Sequence, residues 1–395
     1  MPVQGRIRSR MLIVLPLSAT ERNHLRNICL EDARNNNRPR WARYCPKSVY
    51  TRNMNLLACP KCKTPLSPGK GSLACDACGE SFPVNDGIVS FARSSSNLGE
   101  FTRDEMLQFL EAAEDIGWRE VLKEMIRPIR PAVFGLLTDP RRSNFTRLLG
   151  LVGGEAVLDF GCGFGGISVQ LAKKCGTVVS LDSGLERLRF LYVIRKQDRI
   201  ENIIPVHNAD VLALPFADDC FDVVTLVGVF EYLPLDLDQY GVGDAQHRCL
   251  AEFHRVLKPG GQIFIGTKNR FGWPYLAGAA DHNGLRFGPV LPRLMASLLS
   301  WMIFRRPYRI IVDSYSGYGR LLHGAGFGDL RFHWPIPGYQ GPDGFQRLDG
   351  DTCAEETVAW RANFTGWREA ALSLGQRVGL LKHFVPHFAI VARKQ

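Results

Sequence analysis

Val157-Leu-Asp-Phe-Gly-Cys-Gly-Phe-Gly-Gly166 runs from a short apolar stretch into three glycines at alternate positions, Gly161, Gly163 and Gly165; Ile167, Val169 and Leu171 follow at helical spacing. The pattern predicts a strand, a tight turn and a helix. Glycine has no Cβ, so its backbone takes turns closed to other residues and lets a ligand lie against the main chain. A cofactor site is expected here. Such a turn alone does not choose among dinucleotides, phosphates and nucleosides.

The residues downstream make the choice. Residues 177–182 read as an apolar strand stopping at Asp182, about twenty residues past the glycines, where a carboxylate accepts the two hydroxyls of a ribose. A third strand at 203–206 leads to Asn208-Ala-Asp210-Val211, and a fourth at 221–227 runs into Gly228-Val-Phe-Glu231-Tyr232. A helix over 245–257 stops at Lys258-Pro-Gly-Gly261, before a fifth strand at 262–267. Strands alternating with helices imply a parallel α/β sheet covered on both faces.

Val157 to Gly165, Asp182, Asp210-Val211, Phe221-Asp222 and Arg255-Val-Leu-Lys-Pro-Gly-Gly261 resemble, in order and spacing, the successive motifs of class I S-adenosylmethionine-dependent methyltransferases, of the type 11 kind. The resemblance covers roughly residues 150–270 and implies a Rossmann-like seven-stranded sheet. It implies that the turn of Gly161, Cys162, Gly163 and Gly165 cradles the methionine and ribose part of S-adenosyl-L-methionine. It further implies that Asp159 orders the loop near the amino group, Asp182 holds the ribose, and Asp210 with the Val211 amide reads adenine.

After the fourth strand the chain has Phe230-Glu-Tyr-Leu-Pro234, not the Asn or Asp, two prolines and aromatic typical of enzymes that methylate adenine or glutamine amines. The expected acceptor is a hydroxyl of a glycan, sugar or small metabolite. A ribosomal or transfer RNA base is the runner-up, and a non-catalytic scaffold that recruits another enzyme is a third reading. Transfer from a sulfonium needs mainly in-line alignment, although a hydroxyl still benefits from a base. Glu231, Asp281 and His282 are the candidates for that base. Asn269-Arg-Phe-Gly272 and Ala277-Gly-Ala, with Asp281-His282 after them, also resemble a bacterial methyltransferase subgroup linked with surface-polysaccharide synthesis.

Upstream, Cys59-Pro-Lys-Cys62 and Cys75-Asp-Ala-Cys78 are two Cys-x-x-Cys pairs with twelve residues between them, the spacing of a four-thiolate zinc ribbon. Four thiolates leave no open position, so the zinc is expected to be structural. The module, residues 54–93, is similar to Trm112-like ribbons. Phe82 to Phe91 reads as a hairpin turning at Asn85-Asp86-Gly87. Residues 94–150 are then a linker, with Ser94-Ser-Ser-Asn97, and two helices: one with a Thr102/Glu105 capping box and a face of Met106, Phe109, Leu110, Ala113 and Ile116, another near 143–151. Both are read either as a lid over the cofactor domain or as ordinary packing helices.

The net charge of +10 belongs largely to residues 1–53, which hold eleven Lys/Arg against three Asp/Glu. The basic balance therefore says little about a nucleic-acid partner for the rest. The leader's basic start and short apolar run mimic a secretory signal, but the paired cysteines and the cofactor site argue for a reducing, cytoplasmic setting. Residues 1–53 are read as disordered or untranslated, with translation beginning at Met54.

The methyltransferase domain is expected over 151–395, with insertions near 268–314 and 336–383. Residues 289–304 are apolar and flanked by arginines, yet too short for a membrane, which takes about twenty apolar residues. No transmembrane segment is expected. The stretch is read as a helix packed on the acceptor side of the core, with peripheral membrane contact as the alternative. A helix near 315–327, strands near 329–334 and 384–392, and a helical stretch near 355–381 complete the sheet, while Gly338-Tyr-Gln-Gly-Pro342 is a loop, read as a turn with substrate contact as the alternative.

Overall fold

The computed structural model describes residues 54–92, 101–236, 242–349 and, apart from 373 and 376, 372–395. The basic leader, the Ser94–Asn97 linker and most of the helical stretch expected near 355–381 lie outside them.

The chain enters through the ribbon, whose strands β1 (Ser67–Pro68), β2 (Ser72–Ala74), β3 (Ser81–Asn85) and β4 (Ile88–Ser90) pair antiparallel in sequence order. Asp86 and Gly87 form the β3–β4 turn with φ of 55° and 67°. Two successive positive φ angles match the twist of a hairpin, which is why Asp-Gly signals it.

Helix α1 (Arg103–Asp115) starts at the expected capping box: Glu105 N–H donates to Thr102 Oγ1 and Thr102 N–H to Glu105 Oε2. Met106, Phe109, Ala112 and Ala113 are buried, whereas Ile116 falls at the C-cap and is exposed. After a helical run through Trp118–Glu120, Val121–Ile126 and Arg127–Ile129 comes α2 (Pro131–Thr138). The helix expected at 143–151 is instead a 3-10 helix, Pro140–Leu148. Ser143 and Thr146 hydroxyls donate to carbonyls three residues back, which favours the tighter turn.

The remaining strands are β5 (Ala156–Phe160), β6 (Thr177–Asp182), β7 (Ile203–His207), β8 (Phe221–Val227), β9 (Leu257–Lys268), β10 (Phe327–Ile336), β11 (Gly344–Arg347) and β12 (His387–Lys394). Between them run α3 (Gly166–Leu171), α4 (Leu185–Gln197), α5 (Val242–Val256), α6 (Arg293–Phe304) and α7 (Tyr315–Gly324). The order β7-β6-β5-β8-β9-β12-β10 reverses direction between β5 and β8, and β12 lies antiparallel between β9 and β10. This is the Rossmann-like order of the methyltransferase fold.

The count of seven strands is too small. β11 extends one edge on β10, and β4 pairs parallel with β7 at the other, Val89 opposite Val206 and Ser90 opposite His207. Unpaired edges attract stray pairing, and the ribbon hairpin covers this one. Leu56, Leu57 and Phe82 of the ribbon share a buried cluster with Leu158 and Val179, so ribbon and sheet have a common core.

The segment expected to pack as a buried helix departs most from its reading. α6 forms, but Ala296 and Ser300 are its buried residues, while Leu294, Leu298, Trp301, Met302 and Ile303 are more than half exposed. The two small residues, one helical turn apart, make the inward stripe.

Candidate functional site

Beyond β5 the chain turns back across the end of β6: Gly161 and Cys162 N–H groups both donate to Leu181 O, at 2.8 and 3.0 Å. Gly161 has φ of +69°, and a Cβ there would lie 2.6 Å from Val229. No other residue fits this approach. Gly165, also left-handed, is the N-cap of α3.

This turn borders a cleft of ≈ 590 Å³ at the strand ends where the sheet order reverses, the usual ligand position in open α/β sheets. Gly161, Cys162, Gly163, Asp182, Asn208 and Val211 line it. Asp182 ends β6 almost fully buried; Oδ2 accepts Gly163 N–H and Oδ1 accepts Gly184 N–H, each at 2.8 Å. Arg187, in the first turn of α4, reaches the same carboxylate at 2.8 Å and also faces the cleft.

Asp159 does not reach the cleft. Its carboxylate is buried beneath the turn, accepting Ser168 Oγ at 2.6 Å and Thr225 Oγ1 at 3.2 Å. Burial raises its pKa to about 6, against the pull of those hydroxyls. Asp210 is exposed and accepts Leu212 N–H at 2.9 Å, which shapes its own turn. Asn208, two residues earlier, faces the cleft while its amide donates to Asp210 O.

Tyr232, His282, Tyr339 and Gln340 also wall the cleft. Behind that wall Glu231 is fully buried and does not line it; Thr267 Oγ1 and Tyr339 OH donate to it at 3.1 and 3.4 Å, and Lys268 Nζ lies 3.4 Å away. Lys268 has its pKa lowered by burial, against the attraction of Glu231, and its Nζ meets His282 Nε2. The His282 imidazole is pushed down, first by desolvation and then by Lys268, so it is neutral near pH 7. Asp281 serves the loop instead, its Oδ1 accepting the N–H groups of Asn283 and Leu285.

The four ribbon thiols converge. The Sγ atoms of Cys59, Cys62, Cys75 and Cys78 all lie within 4.8 Å of one another, close to the spacing of about 3.8 Å that tetrahedral zinc bonds impose. Each Cys-x-x-Cys pair forms a tight turn, with Lys63 N–H donating to Cys59 O and Gly79 N–H to Cys75 O. The donor set and its shape fit a structural zinc ion. From this knuckle, Lys63 Nζ donates to Leu214 O, and Ala58 N–H to Pro215 O. The ribbon thus grips the loop that follows Asn208 and Val211. On the hairpin side Ser90 Oγ contacts His207 Nδ1 at 2.8 Å, and the far nitrogen of that ring meets Ser183 O.

Contributors that the sequence reading did not make site residues include Arg187, Asn208, Tyr232, Tyr339, Gln340 and the wall from α2, where Val133, Leu136 and Leu137 face the cleft. Arg187 follows Asp182 by five residues, a spacing that places it back over the strand end once α4 begins. The α2 wall had no such signal.

Residues 158–265 match the methyltransferase domain family, and residues 52–87 match the Trm112p-like protein family. Among curated relatives, the ubiquinone biosynthesis O-methyltransferase of Pseudomonas aeruginosa is 30% identical over 141 residues, 35% of this chain and 55% of that protein. The demethylmenaquinone methyltransferase of Lactobacillus johnsonii is 31% identical over 127 residues, 31% of this chain and 48% of its own. The chain thus spans about half the length of the curated relatives it matches. Among solved structures, a chain from the complex containing the Haloferax volcanii Trm112 methyltransferase activator superposes with a TM-score of 0.37 at 18% identity, covering 75% of this chain and 98% of that one.

Proposed function

We propose that this chain, a class I methyltransferase domain with an N-terminal Trm112-like module, transfers a methyl group from S-adenosylmethionine to a hydroxyl of a small acceptor. The observation that carries the reading is one cleft lined both by the glycine turn with the Asp182 carboxylate and by the polar aromatic groups of Tyr232, His282 and Tyr339.

In this reading Asp182 holds the ribose hydroxyls, the turn from Gly161 to Gly163 receives the methionine part, and Asn208 and Val211 flank adenine. The sulfonium supplies an activated methyl, so the chain's main task is alignment. In this reading His282 is the base that takes the hydroxyl proton at Nδ1, in the tautomer whose Nε2–H faces an uncharged Lys268. Lys268 and Glu231 hold that imidazole and Tyr339 in position from behind. The name ubiquinone biosynthesis O-methyltransferase among the relatives supports a hydroxyl acceptor, and the aromatic wall supports a phenolic one.

The test is a calorimetric titration of the zinc-replete chain with S-adenosylhomocysteine, followed by transfer from labelled S-adenosylmethionine to a panel of phenols and sugar hydroxyls. One-site binding and a labelled ether product support the reading. Failure of the folded chain to bind the homocysteine analogue would remove the cofactor assignment.

A further inference from the structure

We infer that α6 is a membrane-surface device: its outward face lies in the interface of an anionic phospholipid bilayer. The usual amphipathic pattern is inverted here. Leu294 is 87% exposed, Leu298 60%, Trp301 55% and Met302 57%, at positions that repeat along one stripe of the helix, and Met295 and Ile303 flank it. The stripe turned to the protein holds Ala296 and Ser300, with Ser300 Oγ donating to Arg306 O at 2.8 Å. Single exposed apolar side chains are ordinary, but six on one twelve-residue helix form a patch that water alone does not favour.

Charge identifies the occupant. Between residues 281 and 309 the chain has five arginines, at 286, 293, 305, 306 and 309, and one acidic residue, Asp281. At the end of α6, Arg305 lies over the Trp301 ring at 5.2 Å and Arg306 over Phe304 at 5.8 Å, so cations and aromatics share one rim. Apolar and aromatic groups on one face, rimmed by arginine, are what an interfacial helix offers to anionic lipid. A second copy of this chain would set the same arginines against each other. At about 18 Å the helix is also too short to cross a bilayer, and none of the described helices is long and apolar enough to do so.

The helix is coupled to the cleft. Arg306 donates to Asn283 O at 3.3 Å, next to His282, and Arg270 donates to Leu291 O just before α6. A bilayer contacting α6 would therefore lie against a helix tied to the loop that carries His282. The inference itself does not depend on the reaction.

The experiment is flotation of the full chain with phosphatidylcholine vesicles containing about one-third phosphatidylglycerol, beside pure phosphatidylcholine vesicles. We expect binding to the anionic vesicles and little to the neutral ones. Leu298→Glu with Trp301→Glu should lower binding at least tenfold, and Arg305→Gln or Arg306→Gln about fivefold each. Unchanged binding of S-adenosylhomocysteine, or an unchanged thermal midpoint, shows that the variants are folded. Absence of wild-type binding overturns the inference, as does equal binding of the Leu298/Trp301 variant, which would assign the attraction to residues 1–53. A concentration-dependent dimer abolished by the same variant, without vesicle binding, would assign the face to a second copy and overturn it too.

Discussion

Arg187 Nη2 lies 2.8 Å from Asp182 Oδ1, joining the first turn of α4 to the carboxylate that ends β6. Asp182 also receives Gly163 and Gly184 N–H groups, so its position is set from three directions before any ligand arrives. Hydrogen bonds to a charged group contribute about 1.5–3 kcal/mol each. Asp182→Ala should therefore weaken S-adenosylhomocysteine binding by about tenfold to a hundredfold in calorimetry. Arg187→Met should cost less, because the two backbone donors still hold the carboxylate. An Asp182→Ala protein that melts like the wild type and binds equally well refutes the ribose role.

The proposed base and its proposed support differ in what they face. His282 faces the cleft and Glu231 lies behind it, engaged by Thr267, Tyr339 and Lys268. His282→Ala should lower kcat about a hundredfold or more and remove the limb of the pH profile that reports the imidazole, leaving the cofactor affinity unchanged. Glu231→Gln, a positioning change, should lower kcat less while keeping that limb. Equal activity of His282→Ala and wild type would remove the imidazole from the chemistry.

How much of this was legible depends on whether a residue acts through its neighbours in sequence or in space. The strands, the Asp86-Gly87 turn and the four thiolates were readable because short continuous apolar runs, turn chemistry and Cys-x-x-Cys spacing are local signals. The α2 wall was not, since Leu136 and Leu137 carry ordinary helix hydrophobicity and meet the glycine turn only after folding. The parallel pairing of Val89 with Val206 also joins distant segments, so the sequence did not show that the ribbon module adds an edge to the sheet. In α6 the apolar pattern was plain, yet pattern alone does not say whether an apolar face turns inward; the buried pair Ala296 and Ser300 shows that it turns out.

The ribbon's grip makes metal and cofactor interdependent. Cys59 is buried in the thiolate cluster, and its neighbours Ala58 and Lys63 donate to Pro215 O and Leu214 O. Cys59→Ser should release the metal, measured as zinc equivalents per chain, and lower the thermal midpoint. With both contacts to the loop loosened, at about 1 kcal/mol each, S-adenosylhomocysteine affinity should fall about tenfold. Removal of zinc from the wild type by a chelator should give the same pair of changes. A variant that retains one equivalent of zinc contradicts the four-thiolate site.

Asp159 gives the pH test. Its pKa is about 6 in the folded protein against an ordinary 3.8, because burial disfavours the carboxylate more than Ser168 and Thr225 favour it. Between those values the folded state binds more protons than the unfolded chain, so this group makes stability fall as pH rises through that window. Above about pH 6 the penalty is complete, on the order of 3 kcal/mol for a shift of about two units. Asp159→Asn cannot ionise and keeps a similar shape. Its stability minus that of the wild type, from denaturant melts, should therefore rise between pH 4 and pH 7 by about that amount and then level. The difference at pH 4 reads only the altered contacts with the two hydroxyls, so the slope isolates the charge. A flat difference across the window would mean that the buried carboxylate is held by its hydroxyl donors as well as water would hold it.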